Sequence, residues 1–258
     1  MGAQHGHLLH YHAHSPVHSL PAHLKVLALL AFVVVVVATP GEYYLAFAAY
    51  LALVGAAARF ASVPWGYLLP RLVIEVPFLV FALLLPFIAT GPRIELGPLT
   101  VSEPGLFAAW TLLAKGTLGV LAALLLAATT EPASVVGGLH RLRLPTAMVL
   151  ILSFMVRYVE VVATEMRRMT VARRSRGFAE RSVRSWPVLA RTAGALFIRS
   201  YERGERVHLA MLSRGFDGEL SLETEQEAGR AQMAQAASLP LTAAVVLVAA
   251  LTWGPVFA

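Results

Sequence analysis

Leu106–Thr129, LFAAWTLLAKGTLGVLAALLLAAT, decides the fold class. The run carries a single charge, Lys115. As a helix it is long enough to cross a hydrocarbon core of about 30 Å, which takes roughly 20 residues. It lacks period-2 alternation, so it reads as a helix that satisfies its own backbone, not as a barrel strand. The same reading extends outward to four more runs: Leu24–Thr39, closed by Pro40-Gly41, then Glu42–Ala58, Tyr67–Thr90 and Leu239–Phe257. The expected fold is an all-α polytopic membrane protein with about five transmembrane helices. Pro70, Pro77 and Pro86 predict kinks in the third span. Gly91–Gly105, rich in glycine and proline, reads as an exterior loop. Composition agrees: 57% of residues are hydrophobic and 14% charged, whereas soluble domains carry about a quarter charged.

The stretch 131–237 is different. Sixteen of the 21 Lys and Arg residues lie between Arg141 and Arg230. Ala147–Val156 is apolar but short before Arg157 and Glu160 interrupt it, which suits an interfacial or packed helix. Beyond it, Met155, Val159, Val162, Met166 and Met169 alternate at helical spacing with Arg157, Glu160, Thr164, Arg167 and Arg168. A second such stretch interleaves Leu189, Leu196, Phe197 and Ile198 with Arg191, Arg199, Glu202, Arg203 and Arg206. Both predict long amphipathic helices. The chain therefore divides into an N-terminal segment (1–23), a four-helix membrane part (24–130), the amphipathic region (131–237) and a final span (238–258). The arginine excess places 131–237 in the cytoplasm. Parity puts the N-terminus inside too, and the last span leaves the C-terminus outside.

The two amphipathic stretches end alike. Ser175-Arg176-Gly177-Phe178 recurs as Ser213-Arg214-Gly215-Phe216, 38 residues later. Arg168 and Ala172 precede the first copy as Arg206 and Ala210 precede the second. Glycine past the last turn closes a helix in the left-handed conformation, and a cation there suits the dipole. Duplicated tips suggest a partner with two equivalent sockets, the arginines offering forked donors to carboxylates or carbonyls. A capped helix on anionic lipid is the alternative.

Other features carry less. Seven of nine histidines fall in residues 1–23: His5, His7, His10, His12, His14, His18 and His23. They read either as a metal-handling segment or as a polar tail. The same residues lack the order of a cleavable leader, and none is expected. Glu75 and Lys115 fall inside spans, where charge is costly and usually paired or functional. Arg71 and Glu75 form one candidate pair, Glu75 and Lys115 another. The acidic residues Asp217, Glu219, Glu223, Glu225 and Glu227 read as a solvated linker. Without cysteine, thiol chemistry and zinc-thiolate sites are excluded. The phosphate-loop, zincin and serine-elbow motifs are also missing. Energy, if consumed, is consumed by another subunit.

Three stretches together resemble the transmembrane coupling (T) component of energy-coupling factor transporters, in the CbiQ branch that serves cobalt uptake. Ser15-Pro16-Val17-His18-Ser19-Leu20, with Lys25, is similar to the family's approach to its first span. Leu142-Arg143-Leu144-Pro145, Phe154-Met155-Val156-Arg157-Tyr158 and Glu165-Met166-Arg167-Arg168-Met169 are similar to the start of its cytosolic coupling region. The two tips resemble its paired Ala-Arg-Gly signatures, with Ser175 and Ser213 in place of alanine. The resemblance covers residues 15 to about 220. It implies a non-catalytic subunit of the plasma membrane, without cofactor, bound metal or nucleic acid. It also implies two ABC-type ATPase partners similar to CbiO. A metal-binding S component similar to CbiM is implied as well, with a small CbiN-like subunit as a further candidate, and lipid surrounds them. Arg176, Gly177, Ser175, Arg214, Gly215 and Ser213 would dock the ATPases. Arg168, Arg206, Ala172, Ala210, Arg157 and Glu165 would support the coupling helices, and Met155, Met166, Met169, Phe178 and Phe216 would supply adaptable apolar surface.

Nickel or a vitamin is the alternative cargo. Outside the class stand a membrane enzyme that holds lipid phosphates on its arginines and a stand-alone carrier. The first lacks a nucleophile–base pair. The second would show inverted repeats in its spans, whereas the repeat here lies in the amphipathic region.

Overall fold

The computed structural model describes residues 15, 17–96, 99–178, 186–218 and 228–254. The histidines from His5 to His14 and the acidic residues from Glu219 to Glu227 lie outside them. The helices are α1 (Ala22–Ala38), α2 (Tyr44–Phe60), α3 (Trp65–Leu68), α4 (Val76–Ile88), α5 (Glu103–Thr129), α6 (Pro132–Arg141), α7 (Thr146–Ser175), α8 (Trp186–Leu212) and α9 (Arg230–Thr252). The all-α polytopic expectation holds, with differences in detail. Four helical stretches are long and apolar enough to cross a membrane: Trp65–Ile88, α5, α7 and α9. Helices α1 and α2 have 17 residues each, the short end of what a span requires. The sequence reading ended the apolar part of α7 at Val156. Valines at 159, 161 and 162 carry it past Arg157 and Glu160, which is why α7 qualifies by length and composition.

Between α3 and α4 the helix tightens into a 3₁₀ segment, Leu69–Glu75, with Pro70 inside it and Pro77 in the first turn of α4, while Pro86 lies within α4. Proline removes a backbone donor, so the regular ladder cannot run through. The expected exterior loop contains an antiparallel hairpin, Arg93–Leu96 (β1) with Leu99–Ser102 (β2), in which Ile94 faces Val101 across the ladder. Alternating Ile94, Leu96, Leu99 and Val101 favour strand pairing over irregular chain.

The chain forms two compact units. One runs from the first helix to Gly138 and includes α9; the other starts at Leu139 and contains α7 and α8. The first unit has its core where α1, α2, α5 and α9 meet: Phe32, Phe47, Tyr50, Val54, Leu118 and Leu121 are buried there beside Ala122, Ala243 and Ala250. Small residues let membrane helices approach closely, since lipid offers no hydrophobic drive between them. Tyr50 takes Phe32 and Phe47 edge-on at 6.1 and 6.2 Å, and its hydroxyl meets Thr39 Oγ1 at 2.9 Å.

Neither candidate charge pair forms. Lys115 Nζ donates to the Val37 carbonyl at the end of α1, 2.7 Å. Buried Glu75 accepts from Thr117 Oγ1, 2.7 Å. Arg71 donates to the Tyr67 carbonyl, 2.7 Å, and lies over the Tyr67 ring at 3.5 Å. Terminal helix carbonyls are unsatisfied within their own helix and carry negative partial charge, so they compete with carboxylates for cations.

Lys25 follows the same rule. It is 8% exposed, and its Nζ reaches the Thr129 carbonyl at the end of α5, 2.9 Å, and the His18 carbonyl, 3.2 Å. Residue 18 belongs to a turn in which Ser15 Oγ lies 2.7 Å from His18 Nδ1. Ser15, His18 and the lysine seven residues on from His18 thus form one device: a turn supplies the carbonyl that a buried ammonium binds, together with one of α5.

Helix α6 meets the start of α1 through Gly138. A Cβ there would lie 2.7 Å from the His23 backbone nitrogen and 3.1 Å from the Ala22 carbonyl carbon, while one at Gly137 would meet nothing within 4 Å. Gly138→Val is therefore expected to lower stability by about 1–3 kcal/mol, the range for forcing atoms into a packed contact, with Gly137→Val as the control. Thermal unfolding of both purified variants in detergent checks this. Equal melting temperatures would refute the close contact.

Candidate functional site

The second unit is built on two long amphipathic helices, α7 and α8. Arg173 Nη1 donates to Thr192 Oγ1, 3.2 Å, and Arg199 forms an ion pair with Glu165. Further along, Met211 and Phe216 of the α8 end share a groove with Leu150 and Phe154 of the α7 start. The pairing runs antiparallel, so the end of one helix lies beside the start of the other. Helix α8 has 27 residues, about 40 Å of helix. The Arg176 and Arg214 tips therefore stand at opposite ends of the pair, separated by roughly that length.

The two tips are closed by the same hydrogen bonds. At the end of α7, Gly177 N–H donates to the Arg174 carbonyl, 3.0 Å, and Phe178 N–H to the Arg173 carbonyl, 3.2 Å. At the end of α8, Gly215 N–H donates to Leu212, 3.0 Å, and Phe216 N–H to Met211, 3.0 Å. These are the two bonds of a Schellman closure, which needs a left-handed residue after the cap. Gly177 and Gly215 supply it, at φ +77° and +81°. Any side chain there would be strained. With Gly at that position and Phe next, the arginine just before the glycine is the capping residue, and its side chain is exposed. Arg176, Gly177, Arg214 and Gly215 are exposed, and Phe178 and Phe216 are half-buried. Among the described residues, neither Arg176 nor Arg214 bonds its guanidinium to a protein group.

Ser175 and Ser213, the departures from alanine, also act alike. Ser175 Oγ donates to the Ala172 carbonyl, 3.0 Å. Ser213 Oγ donates to the Leu209 and Ala210 carbonyls, both 3.1 Å. Each serine hydroxyl thus bonds carbonyls of its own last helical turn, and the Ser213 backbone N–H also donates to Leu209, 3.0 Å.

The supporting residues divide. Arg157, Arg168, Ala172, Arg206 and Ala210 are exposed, with Arg206 3.9 Å from Glu202. Glu165 is half-buried and joins α7 to α8. Its counterpart in the second copy is Arg203, so the repeat breaks where the helices meet. The cross-links Arg199–Glu165 and Arg173–Thr192 escaped the sequence reading. Their signal was weak: each couples residues on separate helices, and only the antiparallel register shows which ones face. Between the helices runs an apolar groove of about 510 Å³, lined among others by Phe154, Met155, Tyr158, Val162 and Val207.

This constellation presents two permanently charged, forked donors on rigid tips held far apart, with an apolar groove between their helices. Forked guanidinium donors match carboxylate and carbonyl acceptors. Comparison with known proteins gives the family. A family model described as CbiQ, cobalt transport protein, matches residues 13–225. A cobalt transport protein CbiQ of Rhodobacter capsulatus is 31% identical over 148 residues, 55% of this chain and 60% of that protein. An energy-coupling factor transporter transmembrane protein, EcfT, of Bacillus selenitireducens is 28% identical over 218 residues, 79% of this chain and 81% of that protein. An uncharacterized protein of Methanocaldococcus jannaschii is 32% identical over 123 residues, 47% of this chain and 42% of that protein. The matched segment thus spans under half of the archaeal relative and three fifths of the Rhodobacter one.

Proposed function

We infer the function from one premise: this chain belongs to the CbiQ family of cobalt transport proteins, transmembrane T components of energy-coupling factor transporters. In this reading it is the non-catalytic membrane subunit that links ATP hydrolysis by two cytosolic ABC-type ATPases to an S component that binds cobalt. Arg176 and Arg214 each enter one ATPase, and the arginine-rich unit and the N-terminus face the cytoplasm. The single observation that carries this is the duplicated tip. Two identically closed helix ends, each with an exposed arginine at the cap, stand about one α8 length apart. One rigid pair can then engage both halves of an ATPase dimer at once. When the dimer closes, the tips move together, and the helices transmit the motion to the S component. Exposed Met155 and Met166 border surface that can repack as the pair shifts, since unbranched thioether chains adapt to changing contacts.

Cobalt is the cargo the family description favours, and the S component chooses the ion. Affinity purification from a native membrane tests the whole proposal. Recovery of two ATPase copies and a small metal-binding membrane protein is expected. Isolation of the chain alone, with transport activity intact, would refute it.

A further inference from the structure

Gly177 and Gly215 occupy the left-handed position of their closures, where glycine is free of strain. The end of α6 closes by the same two bonds without glycine. Arg143 N–H donates to the His140 carbonyl, 3.0 Å, and Leu144 N–H to the Leu139 carbonyl, 3.2 Å. The left-handed residue is Arg143, at φ +62°, a conformation that disfavours a side chain. Arg143 is exposed, and among the described residues its guanidinium bonds to no protein group. A strained residue with no contact in the fold to account for it is a starting point for assigning function.

The register of α7 and α8 locates the partner. Glu165 meets Arg199, and Arg173 meets Thr192, so eight residues forward on α7 answer seven back on α8. Fifteen residues on from Arg199 is Arg214, and fifteen back from Glu165 is Leu150. Leu150 and Phe216 line the same groove, in agreement. Arg214 is therefore level with Leu150, about 6 Å along α7 from its first residue, Thr146. The three steps of chain from Arg143 to Thr146 add at most about 10 Å. The α6–α7 turn and the α8 tip thus share one end of the helix pair, both within the second unit, whereas Arg176 stands at the other end. A standard protein contact covers about 800 Å² of each partner. That is wide enough to take in Arg143 and Arg214 together, and too small to reach Arg176, about one α8 length away. Resting on the docking reading of the two tips, we propose that Arg143 extends the docking surface of the α8 tip and pairs with a carboxylate of the ATPase subunit that receives Arg214. The guanidinium fork fits a carboxylate as an ammonium does not, and the left-handed turn holds the residue clear of the ladder of either helix.

The test uses the full chain purified in detergent and, as the probe, the ATPase subunits that copurify with it from a native membrane. Their binding is titrated, and thermal unfolding of the chain alone is the control. Arg143→Gly should weaken binding about fivefold, the upper contribution of one exposed ion pair. It should melt at or above the parental temperature, because glycine relieves the backbone. On an Arg176→Ala background the same change should cost the same fivefold. On an Arg214→Ala background, where the neighbouring anchor is already lost, it should cost about twofold or less, since residues that serve one contact do not act additively. Parental binding by Arg143→Gly, while Arg214→Ala binds more weakly, would overturn the extended surface and leave the docking reading standing. Parental binding by both Arg176→Ala and Arg214→Ala, or no ATPase in the preparation, would refute the docking reading itself. Equal losses on the two backgrounds would place Arg143 away from the α8 tip, and a lower melting temperature would assign it to the fold. Either result overturns the proposal.

Discussion

Arg176→Ala combined with Arg214→Ala is expected to abolish recovery of ATPase subunits with this chain and to reduce ATP-driven uptake to background. Each arginine is exposed in the isolated chain and, in the docking reading, becomes desolvated on one side when seated. Removing one member of a buried, hydrogen-bonded charge pair costs about 2–5 kcal/mol. The two tips sit on one rigid helix pair, so the second docking event is intramolecular once the first has occurred. Either single change should therefore weaken assembly yet leave a partly occupied complex, and the double change should remove both anchors. The fold should be untouched, because the closing bonds at each tip are made by backbone groups and glycine, not by the arginine side chain. Co-purification and uptake into reconstituted vesicles measure the effect, with thermal unfolding as the control. Parental assembly and parental uptake in the double variant would end the docking assignment.

Lys25→Met carries the second large effect, on stability. The ammonium joins two segments distant in sequence, donating to the carbonyls of His18 and Thr129 from a site 8% exposed. Methionine keeps the length and the apolar stem but strands both carbonyls. Hydrogen bonds to a charged donor contribute about 1.5–3 kcal/mol each, and unmet buried partners add to the loss. An overall destabilisation of about 3 kcal/mol is expected, or roughly 10 °C in melting temperature for a protein of this size. Lys115→Met provides the comparison. It loses one bond to a terminal helix carbonyl, Val37, instead of two, so its cost should be about half that of Lys25→Met. If the two variants melt together, the second carbonyl at Lys25 does not matter as argued.

The tips were legible in the sequence because everything that shapes them is local. Helix closure depends on residues within one turn, and Ser-Arg-Gly-Phe contains the cap, the left-handed glycine and the apolar residue that folds back. The spans were legible for a similar reason: length and hydropathy measure a requirement imposed by the bilayer itself. The end of α7's apolar stretch was misjudged because two charges were weighed above the valines that follow them. Strand pairing at Ile94 and Val101 was missed in a segment whose glycine and proline content dominated the reading.

What the residues determined by themselves, then, is the helical membrane class and the paired, outward-turned arginines, since both follow from local chemistry and from the solvent the chain must meet. Tertiary structure decided the rest. It set the antiparallel register that brings Glu165 to Arg199 and puts the two tips at opposite ends of one pair. It also turned the intramembrane charges away from one another and onto helix ends. Lys25 and Lys115 each have carboxylates available along the chain, yet they bind Thr129 and Val37 carbonyls. In a low-dielectric interior the nearest unsatisfied acceptor wins, and which acceptor is nearest is known only once the helices are packed.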